Sequence, residues 1–356
     1  MLLFADIPVN PLPAISTTRF RSGQNPFITP NLLTTGGTLV KQRQNPISLK
    51  SLENCCLCPR TCGTDRRLSA GYCGCTSVMR AARAALHHWE EPCISGIHGS
   101  GTVFFSGCTL RCCFCQNHPI SQGPVGKEVS VQKLADIFLR LQDQKAHNIN
   151  LVTATQYLPL ILNSLDLVRH RLHIPVVYNC SGYERIEIIR ALKDYIDIWL
   201  PDLKYQDSEL SLRYSGAKDY FSYASQAIPQ MIAQTGPPLF HTETADSPSG
   251  QASRSIMDQG VIIRHMGLPG HKEDSIRLLS WMAENLPKGH FYISLLSQYT
   301  PSHKSSRFPG LNRRVTAYEY QKVVDAALNL GLSQGFMQQK SSAGEEYTPP
   351  FDLEGI

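Results

Sequence analysis

From Val103 onward, short β-rich runs alternate with helical patterns, and few architectures accept that order. The runs are TVFFSG, NINLVTA, PVVYNCSG, IDIWLPDLK, GVIIRHMGLPG and HFYISLLSQY. Between them stand VQKLADIFLRLQ, LPLILNSLDLVRH, YERIEIIRALKDY, a longer helical stretch near Tyr220 to Gln234, and DSIRLLSWMAENL. In the first of these, Ser130 offers an N-cap, and Val131, Leu134, Ile137, Phe138 and Leu141 recur at helical spacing. Strands separated by helices, with no hairpin signal inside the units, predict a parallel sheet of right-handed crossovers. The expected fold is α/β: a partial (β/α)6 TIM-type barrel over 99–356, with a small cysteine-rich segment before it.

In such a sheet ligands bind where the C-terminal ends of the strands converge. Cys108, Thr153 to Gln156, Asn179 to Gly182, Asp202 to Lys204, and Arg264 with His265 all fall at those ends. Singly, each reads as an ordinary strand-end polar residue; jointly they predict a site. PPLFHTETADSPSGQASRSIMDQ, residues 237–259, breaks the rhythm with loop-forming residues and reads as a surface insertion.

Upstream, residues 53–98 form a turn-rich, cysteine-rich subdomain, with a helix expected over Val78 to Trp89. Residues 1–52, poor in acid and rich in Ser, Thr, Pro and Asn, read as a flexible arm rather than the alternative of an organelle transit peptide, because six prolines oppose a long amphipathic helix. That arm holds Arg19, Arg21, Lys41, Arg43 and Lys50 against Asp6 alone, so it carries most of the chain's net charge of +5. The remaining body is near neutral, which argues against a nucleic-acid surface. No stretch approaches 18 consecutive apolar residues and no secretory signal opens the chain, so the expectation is a soluble cytoplasmic protein that spans no membrane.

Twelve cysteines in such a chain point to metal or redox chemistry, since the cytosol keeps thiols reduced. Cys108, Cys112 and Cys115 make C-x3-C-x2-C in the loop after the first strand. Three thiolates at this spacing can each hold one iron of a cubane cluster and leave the fourth iron without a protein ligand. An open metal position is what separates a catalytic site from a structural one. Adjacent residues of a tight loop point apart, so Cys113 is a bystander. Cys55-x2-Cys58-x3-Cys62-x10-Cys73 is a second group, able to bind structural zinc or a second cluster, or to remain as reduced thiols. Cys56, Cys75 and Cys93 read as small buried hydrophobes.

CTLRCCFC on the loop after the first strand of a βα-repeat resembles the cluster loop of the radical S-adenosylmethionine superfamily. EEPCISG, NINLVTATQY, YNCSGYE, LPDLKY, IIRHMGLPG and PPFDL narrow the resemblance to the pyruvate formate-lyase activating enzyme family, in its X-type branch, from about Asn54 to the C-terminus. The resemblance implies a 4Fe–4S cluster on Cys108, Cys112 and Cys115, with S-adenosylmethionine chelating the open iron. It implies reductive cleavage to methionine and a 5'-deoxyadenosyl radical, which takes hydrogen from a substrate such as a protein glycine. Phe114 would then lie against adenine, Lys204 would pair with the cosubstrate carboxylate, and Asp202 would hold a cation or hydroxyl. A hydroxyl or the amide of Thr153-Ala154-Thr155-Gln156, from Thr153 or Gln156, or the backbone there, would replace the Gly-Gly-Glu contact of relatives to the cosubstrate amino group. The implied partner is a one-electron donor such as flavodoxin or ferredoxin. Asn179-Cys180-Ser181-Gly182 stands where activating enzymes often show Asp-Thr-Asn-Gly, and so lacks one carboxylate. The competing reading of the same cysteines is a zinc-binding or iron–sulfur module for interaction or electron transfer, without radical chemistry.

Overall fold

The structure, a computed structural model, describes residues 4–6, 46–247, 250–338 and 348–356. Most of the arm expected at 1–52 lies outside the described residues. The strands are β1 (Phe4–Asp6), β2 (Arg80–His87), β3 (Ser100–Phe105), β4 (Lys127–Glu128), β5 (Ile149–Val152), β6 (Val176–Cys180), β7 (Ile198–Pro201), β8 (Leu239–Ser247), β9 (Gly250–Met266), β10 (Tyr292–Leu296) and β11 (Gly335–Gln338). The helices are α1 (Pro92–Ser95), α2 (His118–Ser121), α3 (Val131–Asp143), α4 (Leu158–Val168), α5 (Ile186–Ala191), α6 (Ser208–Ser215), α7 (Tyr220–Thr235), α8 (Lys272–Asn285) and α9 (Ala317–Asn329).

Strands β3, β5, β6, β7, β9, β10 and β11 pair in that order, all parallel, as the open sheet of the expected partial barrel. The first six contain the six predicted runs, and β11 adds a parallel strand that was not foreseen. Strands β5, β6 and β7 are buried at every position, which explains why they read as continuous apolar runs rather than alternating ones. Val177, Ile198, Leu200 and Ile262 form one apolar cluster, closed by Cys93 and Ile94 of α1 and by Met257 of β9. Val176, Tyr178, Trp199, Val261 and Ile263 belong to the larger core, which takes in the helices. Helix α3 begins as expected, with the Ser130 hydroxyl accepting from Lys133 N–H at 3.1 Å and Leu134, Ile137, Phe138 and Leu141 buried.

One local expectation is overturned, and a second region takes a more regular form than its composition suggested. Val78 to Trp89 is not a helix: Arg80–His87 is strand β2, antiparallel to β3. Its RAARAALH sequence favours helix intrinsically, but a place beside β3 buries Ala81, Ala82 and Ala84, and tertiary pairing outweighs propensity. The excursion at 237–259 is largely a long antiparallel hairpin of β8 and β9, which then runs straight into the parallel sheet. The closing segment returns to β2, where Leu353 N–H donates to Ala82 O and Ala84 N–H to Glu354 O.

Candidate active site

A cavity of about 250 Å³ opens at the C-terminal ends of the parallel strands. Cys108, Cys112, Phe114 and Cys115 line it from the loop after β3, Thr153 from β5, Asn179 and Ser181 from β6, Asp202 and Lys204 from β7, and Arg264 from β9. Thus the three loop cysteines and the four residues expected to meet the cosubstrate face one space. Gln156 does not face it. Its amide is 2% exposed and donates to Ser106 O, Gly107 O and Thr153 O, which ties the end of β5 to the start of the cysteine loop.

The loop itself is anchored on both sides. Cys113 N–H donates to Tyr214 O at 2.8 Å, and Cys113 O accepts from Lys304 N–H at 2.8 Å, so this cysteine serves through its backbone. Gly107 has φ +83, and a Cβ there would lie 2.0 Å from Cys75 Sγ, so the loop can leave β3 only through glycine. Burial pushes the Cys112 thiol up to about 11 and the Cys115 thiol up to about 12, and raises Cys108 as well. Left to themselves these thiols stay protonated at neutral pH; a bound metal is what would draw the protons off.

Asp202 lies between two cations. Its carboxylate is 2.6 Å from Lys204 Nζ and 3.0 Å from Arg264 Nε. Burial opposes its ionisation, but the Arg264 and Lys204 charges prevail and hold its pKa below the usual range. Burial likewise opposes the charge on Lys204, and Asp202 more than restores it. Arg264 extends the network to Glu90 at 3.2 Å and to the Asn179 amide oxygen at 2.5 Å, while the Asn150 and Asn179 amides donate to Glu90 at 3.0 and 3.2 Å. Burial still leaves the pKa of Glu90 raised, against the pull of Arg264. Glu90 was missed in the sequence because its partner Arg264 is 174 residues away; only EEPCISG, among the quoted motifs, hinted at it. The missing carboxylate at Asn179 is therefore met from another element, by Glu90, and it is neutralised there by an arginine.

Tyr220 of α7 locks the turn beside Asp202. Its hydroxyl accepts from Lys204 N–H at 2.9 Å and lies 2.9 Å from the carbonyls of both Ser181 and Asp202. Gly182 has φ +75, and any Cβ would stand 2.1 Å from Asp202 O, which explains the glycine of YNCSG. Phe114 is 5% exposed and meets the Tyr299 ring edge-on at 5.8 Å between centroids.

An uncharacterized protein of Methanocaldococcus jannaschii is 27% identical over 316 residues, covering 86% of this chain and 81% of that protein. Among solved structures, SuiB of Streptococcus suis bound to precursor peptide SuiA aligns with 13% identity and a TM-score of 0.41, over 65% of this chain. The chain spans 46% of SuiB's length in that match. QueE from Escherichia coli aligns with 12% identity and a TM-score of 0.42, over 74% of this chain and 94% of QueE. Residues 102–228 match the model of the Radical SAM superfamily, whose cofactors are a 4Fe–4S cluster and S-adenosylmethionine.

Proposed function

We propose that the chain is a radical S-adenosylmethionine enzyme of the activating-enzyme type, working in the cytoplasm with a flavodoxin or ferredoxin as electron donor. The observation that carries this reading is that three thiols of one loop and the Asp202–Lys204 pair line the same cavity. The residues fit the cofactors in kind: a soft donor set one thiolate short of closure, an aromatic ring beside it, and a half-buried ammonium for a carboxylate. When bound and reduced, the cluster and S-adenosylmethionine supply a 5'-deoxyadenosyl radical that removes hydrogen from a donor molecule.

In this reading Cys108, Cys112 and Cys115 are the cluster ligands, and their loop keeps the cluster at the end of β3. Lys204 binds the cosubstrate carboxylate; Asp202 fixes the direction of the Lys204 ammonium. Phe114 packs on adenine, and Thr153 bonds the amino group from the end of β5. Gln156 supports the loop from behind and touches neither cofactor. The chain's part is orientation and exclusion of water around a reactive species. Glu90, Asn179 and Arg264 form the wall met by the hydrogen donor. The donor to test first is a peptide glycine, the target that the sequence resemblance implies. Peptides and small molecules deuterated at the candidate carbon are offered to the reduced protein with S-adenosylmethionine. Deuterium arriving in 5'-deoxyadenosine from a glycine peptide supports the reading; label arriving only from a small molecule contradicts its activating-enzyme part.

A further inference from the structure

The segment EEPCISG sets two carboxyls side by side, and the proposed function uses only the first. Glu90 is engaged by Arg264 at 3.2 Å and by the Asn150 and Asn179 amides. Glu91 lines the same cavity and is 3% exposed, yet its Oε2 is buried without a hydrogen-bond partner. The local chain gives that side chain no task. Glu91 precedes α1, but its side chain makes no cap hydrogen bond. Its backbone carbonyl does the holding instead, accepting Ile94 N–H at 2.8 Å and Ser95 N–H at 3.0 Å. Pro92 follows it, and Glu90 N–H donates to Ser95 Oγ at 3.0 Å, so the turn that carries both carboxyls is fixed without the Glu91 side chain. Ser294 of β10, the register partner of Arg264, stands close enough to act on the Glu91 carboxyl, and its own hydroxyl is likewise buried and unbonded.

The wall of the cavity has no cation left for Glu91. Each of the three nitrogens of Arg264 donates to another group: Nε to Asp202 at 3.0 Å, Nη1 to Glu90 at 3.2 Å and Nη2 to Asn179. Lys204 Nζ is held by Asp202 at 2.6 Å. His87 also lines the cavity, but burial lowers its pKa to about 4, so it is neutral at pH 7. Among the described residues the lining therefore sets three carboxyls, Glu90, Glu91 and Asp202, against two cations, Lys204 and Arg264. In the proposed function Lys204 also meets the cosubstrate carboxylate, which deepens the shortage. Arg264 draws on Glu91 from a distance, but burial outweighs it and raises the pKa. A buried carboxyl with an unbonded oxygen is costly unless it keeps a proton or meets a cation that carries N–H. The empty cavity leaves it the proton; an occupant that brings a positive N–H group takes the proton's place.

We infer that Glu91 anchors the hydrogen donor and that this donor carries a protonated amine. The inference rests on the proposed function in calling the occupant the hydrogen donor, whereas the amine contact is tested by binding and needs no turnover. Reconstituted full-length protein, with and without S-adenosylmethionine, is titrated by calorimetry with two pairs of probes. One pair is propylamine and N-propylacetamide; the other is a short glycine peptide with one lysine and the same peptide with that lysine acetylated. In at least one pair the amine should bind roughly tenfold to a hundredfold more tightly than its acetylated twin. Glu91→Gln, which keeps the size and removes the charge, should bring the twins within about twofold of each other. Discrimination by propylamine assigns the amine to a small molecule, and discrimination by the peptide pair alone assigns it to a peptide. Equal binding within both pairs, no binding of either amine, a difference that survives in Glu91→Gln, or displacement of the amine by potassium ions at equal concentration would each overturn the inference. The comparison of twins and the potassium competition use the wild-type chain, so they decide the matter even where the variant fails to fold. Protein that binds the amine through Glu91 and forms no 5'-deoxyadenosine would contradict the proposed function and leave the amine site standing.

Discussion

Cys108, Cys112 and Cys115 open onto a cavity shared with Lys204 and Asp202, whereas Cys55, Cys58 and Cys73 are buried away from it, with Arg66 beside Cys55, and Cys62 is exposed. The contrast is one of surroundings as much as of place. In the proposed reading three thiolates leave a cluster a reactive corner, and the surrounding strands bring an ammonium, a carboxylate and an aromatic ring to the same cavity. Around the earlier group stand instead the Arg66 guanidinium, 4.0 Å from Cys55 Sγ, and the Glu184 carboxyl, which acts on Cys58. Both groups lie in turn-rich sequence of similar composition, so it is the sheet, through the end of β3, that makes one of them a candidate for chemistry.

The largest effect should fall on the open group. Cys112→Ala should reduce 5'-deoxyadenosine formation below detection, while Cys113→Ala should leave it nearly intact, because Cys113 anchors the loop through its backbone groups. Product analysis of both variants under identical reconstitution separates them; equal loss in both would remove the distinction between ligand and bystander.

Next comes the polar wall. Arg264→Met leaves the partly buried Asp202 and Glu90 carboxylates without their shared cation, and should cost roughly 2–3 kcal/mol of stability, below the full cost of a buried pair because both are partly solvated and Asp202 keeps Lys204. Denaturant titration reads this; an unchanged midpoint would mean that the network holds no structure. Lys204→Met should act on binding rather than folding, weakening S-adenosylmethionine by roughly tenfold to a hundredfold, or about 1.4–3 kcal/mol. Calorimetry on the reconstituted protein measures it, and an unaltered affinity would detach Lys204 from the cosubstrate.

The subtlest effect to read, since it appears only as a pH slope, concerns a carboxyl that neighbours both regions. Glu184 is 1% exposed, accepts from Thr155 at 2.8 Å behind the end of β5, and raises the pKa of Cys58. Burial pushes its pKa up from 4.5 to about 8. The folded chain thus keeps a proton that the unfolded chain releases above about pH 4.5. Stability should be fullest below that value and decline as pH rises toward about 8. Glu184→Gln keeps a neutral acceptor for Thr155 and should flatten the decline, as seen in melting temperatures between pH 5 and pH 8; an identical slope in both proteins would show that another group carries the pH dependence.

The parallel sheet was legible because its strands are buried on both faces and therefore stand out as apolar runs, and because Ser130 marks a helix start. Strand β2 was not legible, since alanine and arginine favour helix until a neighbouring strand is present. GFMQ of β11 is too short to carry a period, and the hairpin of β8 and β9 pairs residues whose composition suits loops. In the site, the cysteine loop was readable as local spacing, whereas Asp202 and Lys204 stood out only through the family resemblance and by themselves read as ordinary strand-end residues. Glu90 was not, because only the fold brings it to Arg264. Gln156 looked equivalent to Thr153 in TATQY, yet the turn after β5 sends one side chain to the cavity and the other into the wall.

Anaerobic reconstitution with iron and sulfide, reduction, and addition of S-adenosylmethionine provide the decisive measurement. The structure and its radical SAM domain predict 5'-deoxyadenosine and methionine in equal amounts, dependent on Cys108, Cys112 and Cys115. Protein that carries zinc without iron, or that carries iron and forms no 5'-deoxyadenosine where a control enzyme does, would contradict it.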